Sequence, residues 1–237
     1  MTAAESDILT LDRKLQGVRF QYAFIGGAVL SLLVDDPEAD TIRVTKDVDV
    51  VMNIRTRAEY HDADEILSQL GFRHDMREGA PICRWICDGV TVDVLPMRGD
   101  VLGWDSKWFE EALSASMRIV RDGQSLNVVS APYFVALKLE AFEGRGHRDF
   151  IMSSDFEDVI CLFNGRASIV EEIASCEALR CALALKFAEY LKSPDLEDAI
   201  EGFVQTENNS EWRKKHILSE FAAVAALNSA GREVGTI

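Results

Sequence analysis

The sequence predicts an α+β protein: a mixed α/β unit over residues 1–130, then a helical unit over 131–237. Three observations carry this. Up to about residue 130, short β-branched runs alternate with amphipathic stretches. Glycines and an Asp-Gly pair punctuate those runs. From Ala131 onward the apolar period becomes 3.6 and stays so to the end.

In chain order, an opening helix covers about Ser6 to Gln16. Arg19 to Gly27 is a short strand ending in the glycine pair Gly26-Gly27, and Ala28 to Val34 continues as a helix. Asp35 to Asp40 is a loop and Asp47 to Ile54 a strand. Arg57 to Phe72 is an amphipathic helix with Tyr60, Ala63, Ile66, Leu67 and Leu70 on one face and Gly71 as its stop. "ICRWIC" and "VTVDVLPM" flank Asp88-Gly89, a two-residue hairpin signal. Ser125 to Ser130 is a last short strand. The helical unit opens with "PYFVALKLEAFEG", with Ser130 as cap and Pro132 in the first turn. "SSDFEDVICLFNG", "SIVEEIASCEALRCALALKFAEYLK", "PDLEDAIEGFVQ" and Ser210 to Leu227 come after it.

The bulk numbers exclude several classes. The chain has 237 residues, 48% of them apolar, which is ample for a hydrophobic core. Apolar runs such as Tyr22 to Val34 stop well short of the ~20 residues a membrane span needs. No signal peptide is visible at the N-terminus. The five cysteines, Cys83, Cys87, Cys161, Cys176 and Cys181, show no C-x-x-C spacing and read as reduced thiols. These features predict a cytoplasmic protein with no membrane partner. The net charge of −15 argues against non-specific coating of nucleic acid, and leaves room for a local basic cleft or a metal-bridged phosphate substrate.

Chemistry concentrates in the acids. Residues i and i+2 on a strand point to one side, so Asp47 and Asp49 present two carboxylates together. Two close carboxylates repel, and a divalent cation removes that cost. Mg²⁺ prefers one or two carboxylates plus substrate phosphates. Asp93 interrupts an apolar strand and, if that strand lies beside the Asp47 strand, completes a triad able to hold two ions ~4 Å apart. It would then also accept the nucleophile's proton. Taken singly, a D-x-D pair is equally a solvated strand end, and Asp93 equally an edge-strand charge. Gly26-Gly27 lets backbone approach a phosphate, or else simply makes a tight turn. It is neither a P-loop nor a dinucleotide fingerprint.

The combined pattern resembles the DNA polymerase β-like nucleotidyltransferase superfamily, with its glycine turn, D-x-D strand and later Asp. More narrowly, "IGGAVL" and "RVTKDVD" are similar to the AbiEii/MenT-type nucleotidyltransferase toxins of toxin–antitoxin systems, through Gly26, Gly27, Ala28, Arg43, Thr45, Asp47 and Asp49. That resemblance implies a polymerase β-like mixed sheet followed by an α-helical C-terminal domain that closes a nucleotide cleft. It implies Mg²⁺ on Asp47, Asp49 and Asp93, and a nucleotide held by Gly26, Gly27, Arg43 and Thr45. Lys138 and Arg145 match the branch's first helix after the core, and Asp155 and Asp158 its D-x-x-D helix. By resemblance Lys138 contacts the triphosphate and Asp155 or Asp158 helps hold the site. Read alone, Lys138 is a solvent-facing helix lysine and Asp155 a first-turn acid. The implied partners are an NTP, an acceptor such as a tRNA end or a protein, and a cognate antitoxin. Gly27 stands where many relatives carry Ser, and the V-R-D that follows the turn in CCA-adding enzymes is missing here.

Two other functions fit the residues. An acidic cleft suits a cationic small acceptor such as an aminoglycoside. A nucleotidyltransferase-like binding domain without catalysis suits the missing Ser. Elsewhere, His61, His74, His147 and His216 lack metal-ligand spacing, and Ser31 and Ser68 lack a nucleophile elbow. Trp104 and Trp108 read as packing or as a base-stacking surface. The basic run Arg213 to His216 reads as a solvated face or an RNA contact.

Overall fold

A seven-stranded mixed sheet organises the first half of the chain. The computed structural model describes residues 2–36, 43–102, 106–204 and 210–228. Its two compact units comprise Met1–Leu32 with Arg43–Ser130, and Leu33–Ile42 with Ala131–Ile237.

In the α/β unit, α1 (Ala3–Leu15) starts at a capping box in which Thr2 and Glu5 satisfy each other's backbone N–H groups. β1 (Tyr22–Ile25) runs into the turn at Gly26. The expected helix after it is two short pieces, a 3₁₀ turn at Gly27–Val29 and the four-residue α2 (Leu30–Leu33). β2 (Val48–Met52) is followed by α3 (Arg57–Gln69), capped by Thr56 and Glu59. Gly71, at φ 93°, lies just beyond its end. β3 (Arg73–His74), β4 (Arg84–Cys87) and β5 (Val90–Pro96) come next. α4 (Gly99–Leu102) and α5 (Phe109–Ser114) lead to the hairpin of β6 (Met117–Arg121) and β7 (Gln124–Val128).

The strand order is β3-β4-β5-β2-β1-β7-β6. β2 lies at the centre, antiparallel to β1 and parallel to β5. Both Asp-Gly turns put their residues at positive φ: Asp88 at 50° with Gly89 at 84°, and Asp122 at 48° with Gly123 at 77°. This is the twist that two-residue hairpins require. The second hairpin carries the same two-residue Asp-Gly signal, and its outer strand β6 is nowhere fully buried.

The helical unit comprises α6 (Ala131–Glu143), α7 (Ser154–Gly165), α8 (Ile169–Ser175), α9 (Glu177–Tyr190), α10 (Leu196–Phe203) and α11 (Ser210–Ala226). The long run expected as one helix from Ser168 breaks at Cys176 into α8 and α9. The core of this unit is aromatic. Phe156 packs 4.9 Å from Phe142 and 4.8 Å from Phe150, while Phe221 lies 4.8 Å from Phe163 and 4.6 Å from Phe187. Residues 33–36 tie to this unit: Asp35 and Asp36 both donate backbone N–H groups to the Gly165 carbonyl. Arg166 donates to the Leu33 carbonyl at 2.6 Å. Among the described residues no helix is long and apolar enough to cross a membrane.

Phe156 is fully buried at the middle of the aromatic cluster. Phe156→Ala removes a whole ring that neighbours cannot replace, and is expected to cost about 3–5 kcal/mol of stability. Chemical denaturation followed by circular dichroism measures this.

Candidate active site

The site grows from one row across the sheet. β5 pairs with β2 so that Asp93 lies beside Asp49, β4 pairs with β5 so that Arg84 lies beside Asp93, and β1 sets Ile25 beside Asp49. Residues side by side on adjacent strands share a face. Arg84, Asp93 and Asp49 are therefore neighbours on one side of the sheet. β5 is flanked by β4 and β2, so Asp93 is not an edge-strand charge.

Asp47 precedes β2 rather than opening it, yet its carboxylate reaches the same place. Arg84 joins the acids. Its Nε donates to Asp93 Oδ1 at 2.8 Å, and its Nη2 donates to Asp93 Oδ2 at 2.7 Å and to Asp47 Oδ2 at 2.6 Å. The hydrogen bonds to Asp93, with the charges of Asp93 and Asp47, push the Arg84 pKa further above its already high value. Before the strand, half-buried Arg43, Thr45 and Asp47 alternate with exposed Val44 and Lys46. This stretch is not a strand: the chain bends at Lys46 and Asp47 before β2 begins at Val48.

Gly26 is explained by Asp49. At φ 72° it occupies a backbone conformation that favours glycine, and an added Cβ would stand 1.9 Å from Asp49 Oδ2. The carboxylate fills the space a side chain would take. In place of the helix expected over Ala28 to Val34 there are only a 3₁₀ turn and the four residues of α2.

The donor chemistry fits a hard divalent cation: the carboxylates are all oxygen ligands, and the site already accommodates a positive group between Asp47 and Asp93. As they stand, Asp47 and Asp93 are spaced around Arg84. Among the described residues no group of three or more His, Cys, Asp or Glu side chains is arranged to hold a metal. Asp47, Asp49 and Asp93 are the carboxylates that could serve such an ion as oxygen ligands.

Cys83 is buried behind this row. Burial first, then the charge of Asp93, pushes its thiol up to about 12. None of the five cysteines, all among the described residues, is in a disulfide.

Lys138, Asp155 and Asp158 form a second cluster, internal to the helical unit. Lys138 is buried, not solvent-facing. Its Nζ lies 3.0 Å from Asp155 Oδ1 and 2.6 Å from Asp158 Oδ2. Arg145 adds Nε to Asp155 Oδ2 at 2.9 Å and Nη2 to Asp155 Oδ1 at 2.8 Å. Burial alone would raise Asp155; the Arg145 hydrogen bond and the Lys138 charge outweigh it and hold the carboxyl below its ordinary value.

The basic run at 213–216 is neutralised from within. Buried Arg213 meets Asp36 Oδ2 at 3.2 Å and Asn164 Oδ1 at 3.0 Å. Lys214 pairs with Glu201 at 3.0 Å, and Lys215 with Glu211 at 3.1 Å. His216 stacks on Trp212. Such a run is neither a purely solvated face nor a bare basic patch. Trp104 lies outside the described residues, and Trp108 is half-buried with the Lys107 ammonium 4.8 Å from its ring centre.

No protein-family model and no curated protein matches the chain. Solved structures show a likeness, among them the following two. An antigenic nucleotidyltransferase-like protein from Paracoccidioides brasiliensis overlaps 84% of this chain and 93% of its own at 21% identity, TM-score 0.49. The antibiotic-resistance factor ANT(2'')-Ia overlaps 78% of this chain and 92% of its own at 16% identity, TM-score 0.47. At that distance neither likeness assigns a substrate or a role to any residue of this chain.

The site's energetics lead to two expected outcomes. Lys138→Met leaves two buried carboxylates with one fewer cation and is expected to destabilise the protein by about 3–5 kcal/mol; adding Asp158→Asn recovers part of that loss in denaturant titrations. The Cys83 thiol stays neutral in the folded protein until about pH 12, whereas an unfolded cysteine ionises near ~8.5. Its contribution to stability is thus complete below about 8.5 and is lost as pH rises toward 12. At pH 8 a thiol reagent is expected to label exposed Cys181 quickly and Cys83 only on unfolding.

Proposed function

We propose that this chain is a Mg²⁺-dependent nucleotidyltransferase that moves a nucleoside monophosphate from an NTP to an acceptor. The observation that supports it most is the register of β2 and β5, which sets Asp49 beside Asp93 on a face that Asp47 also reaches through Arg84. In this reading Asp47, Asp49 and Asp93 hold the metal. When bound, Mg²⁺ supplies the charge that activates the attacking oxygen and offsets the leaving pyrophosphate. Asp93, the most enclosed of the row, accepts the proton of the attacking hydroxyl. The Gly26-Gly27 backbone lets a phosphate approach the carboxylates closely. The resemblance in sequence adds Arg43, Thr45, Lys138, Asp155 and Asp158 as nucleotide contacts. It also adds the AbiEii/MenT-type toxin role, with a tRNA end or a protein as acceptor and an antitoxin as partner.

A second reading, a nucleotide-binding domain without transfer, is favoured by one observation: Arg84 already engages two of the three carboxylates. A third, a small cationic acceptor, is favoured by the net charge of −15.

The test incubates the protein with Mg²⁺ and each labelled NTP, in separate arms with total RNA, cell protein and an aminoglycoside. Label is expected to enter the RNA or protein arm, and chelation of Mg²⁺ to abolish it. Asp47→Asn, Asp49→Asn and Asp93→Asn are each expected to cut transfer by roughly a thousandfold or more with the circular dichroism spectrum unchanged. Label in the aminoglycoside arm alone selects the third reading. Calorimetric binding of Mg²⁺–NTP with no transfer in any arm selects the second. Transfer that survives the triple substitution removes these residues from the mechanism.

A further inference from the structure

Arg84 occupies the oxygen atoms that a cation cofactor would use. Its guanidinium takes both oxygens of Asp93 and one of Asp47 with three charge-assisted hydrogen bonds of 2.6–2.8 Å. A guanidinium cannot release carboxylates by losing its proton, because it stays charged at any ordinary pH. Only movement frees those oxygens. The backbone of Arg84 is fixed: its N–H donates to the Pro81 carbonyl at 2.9 Å, its carbonyl accepts from the Asp75 N–H at 3.1 Å, and the residue pairs with Asp93 in the sheet. The side chain is different. It is long, has several rotatable bonds, and is 25% exposed, against 12% for Asp93.

We propose that Arg84 is a positioning residue that exchanges with Mg²⁺ on one shared set of carboxylate oxygens. Without metal it keeps Asp47 and Asp93 from repelling each other and fixes their orientation. With metal it swings off, its backbone unmoved, and the positive charge between the acids is replaced rather than added. Wild-type metal affinity is therefore lowered by the fraction of molecules in which Arg84 holds the acids. This inference rests on the metal-dependent reading above.

Calorimetric titration with Mg²⁺ alone, on the wild type, Arg84→Met and Arg84→Lys, decides it. Arg84→Met is expected to bind Mg²⁺ at least about tenfold more tightly than wild type, because the competitor is gone. Arg84→Lys, which keeps the charge but loses the fork, is expected to fall between them. In EDTA the melting temperature of Arg84→Met is expected to drop, and Mg²⁺ to raise it by more than it raises that of wild type. Mg²⁺ affinity equal to or weaker than wild type in the substituted proteins overturns the exchange and leaves the transferase reading standing. No Mg²⁺ binding by any of the three overturns both. Should Arg84→Met fail to fold, the affinity of Arg84→Lys relative to wild type decides the matter in the same way.

Discussion

The parallel pairing of β2 with β5, in the one register that puts Asp49 against Asp93, is the constraint on which the rest of the site depends. A parallel pair cannot be joined by a tight turn; it needs a crossover. Here α3, β3 and β4 fill the chain between the two strands. The register is locked by the residues on the opposite face. Val48 and Val50 on β2, with Val92 and Val94 on β5, are 0–2% exposed. A slip of one residue would exchange those valines with the acids and bury carboxylates in an apolar core. The hydrophobic face thus enforces the proximity of two like charges. That proximity in turn demands a cation, and β4 supplies one at the neighbouring position in the row.

Much of this arrangement is legible in the sequence, and the position of Arg84 is legible without any motif to mark it. The D-x-D pair, the glycine turn, the third Asp and the Asp88-Gly89 hairpin all lie in short motifs with fixed geometry. Arg84 belongs to none of them, yet its place is set by the hairpin. A two-residue turn pairs Cys87 with Val90, and counting outward three residues on each strand pairs Arg84 with Asp93. The second Asp-Gly pair, at Asp122 and Gly123, carries the same information for β6 and β7. The sequence lacks any local mark of the β2–β5 pairing, because contacts between distant strands leave no periodicity. The burial of Lys138 is similarly hidden. A lysine on a helix reads as exposed until Asp155 and Asp158, a helix away, are known to face it.

The net charge of −15 is also less simple in the folded chain than in the composition. Several cations are engaged internally. Arg84, Lys138 and Arg213 are each drawn to acids or amide oxygens within their own unit. Lys186 and Tyr190 on α9 both engage Glu143 at the end of α6, which staples those helices with a polar contact beside the aromatic cluster. Basic residues used this way are not available as a surface for polyanions. The run at 213–216 shows the difference between counting charges along the chain and locating their partners.

The glycine turn and the acidic pair are two views of one packing fact. A G-G turn beside a D-x-D strand looks like two independent pointers to a phosphate-handling site. In the folded chain Gly26 is required by Asp49 itself, whose carboxylate lies where a Cβ would be. The positive φ of Gly26 and the close approach of the acid come together, and any side chain at that position would displace the carboxylate from the row. The turn therefore adds its own weight only through Gly27 and the short elements beyond it, a 3₁₀ turn and four helical residues with little macrodipole. The chemistry at this end of the sheet is governed by the carboxylate row and by the cation seated on it, and the glycine is shaped to fit them.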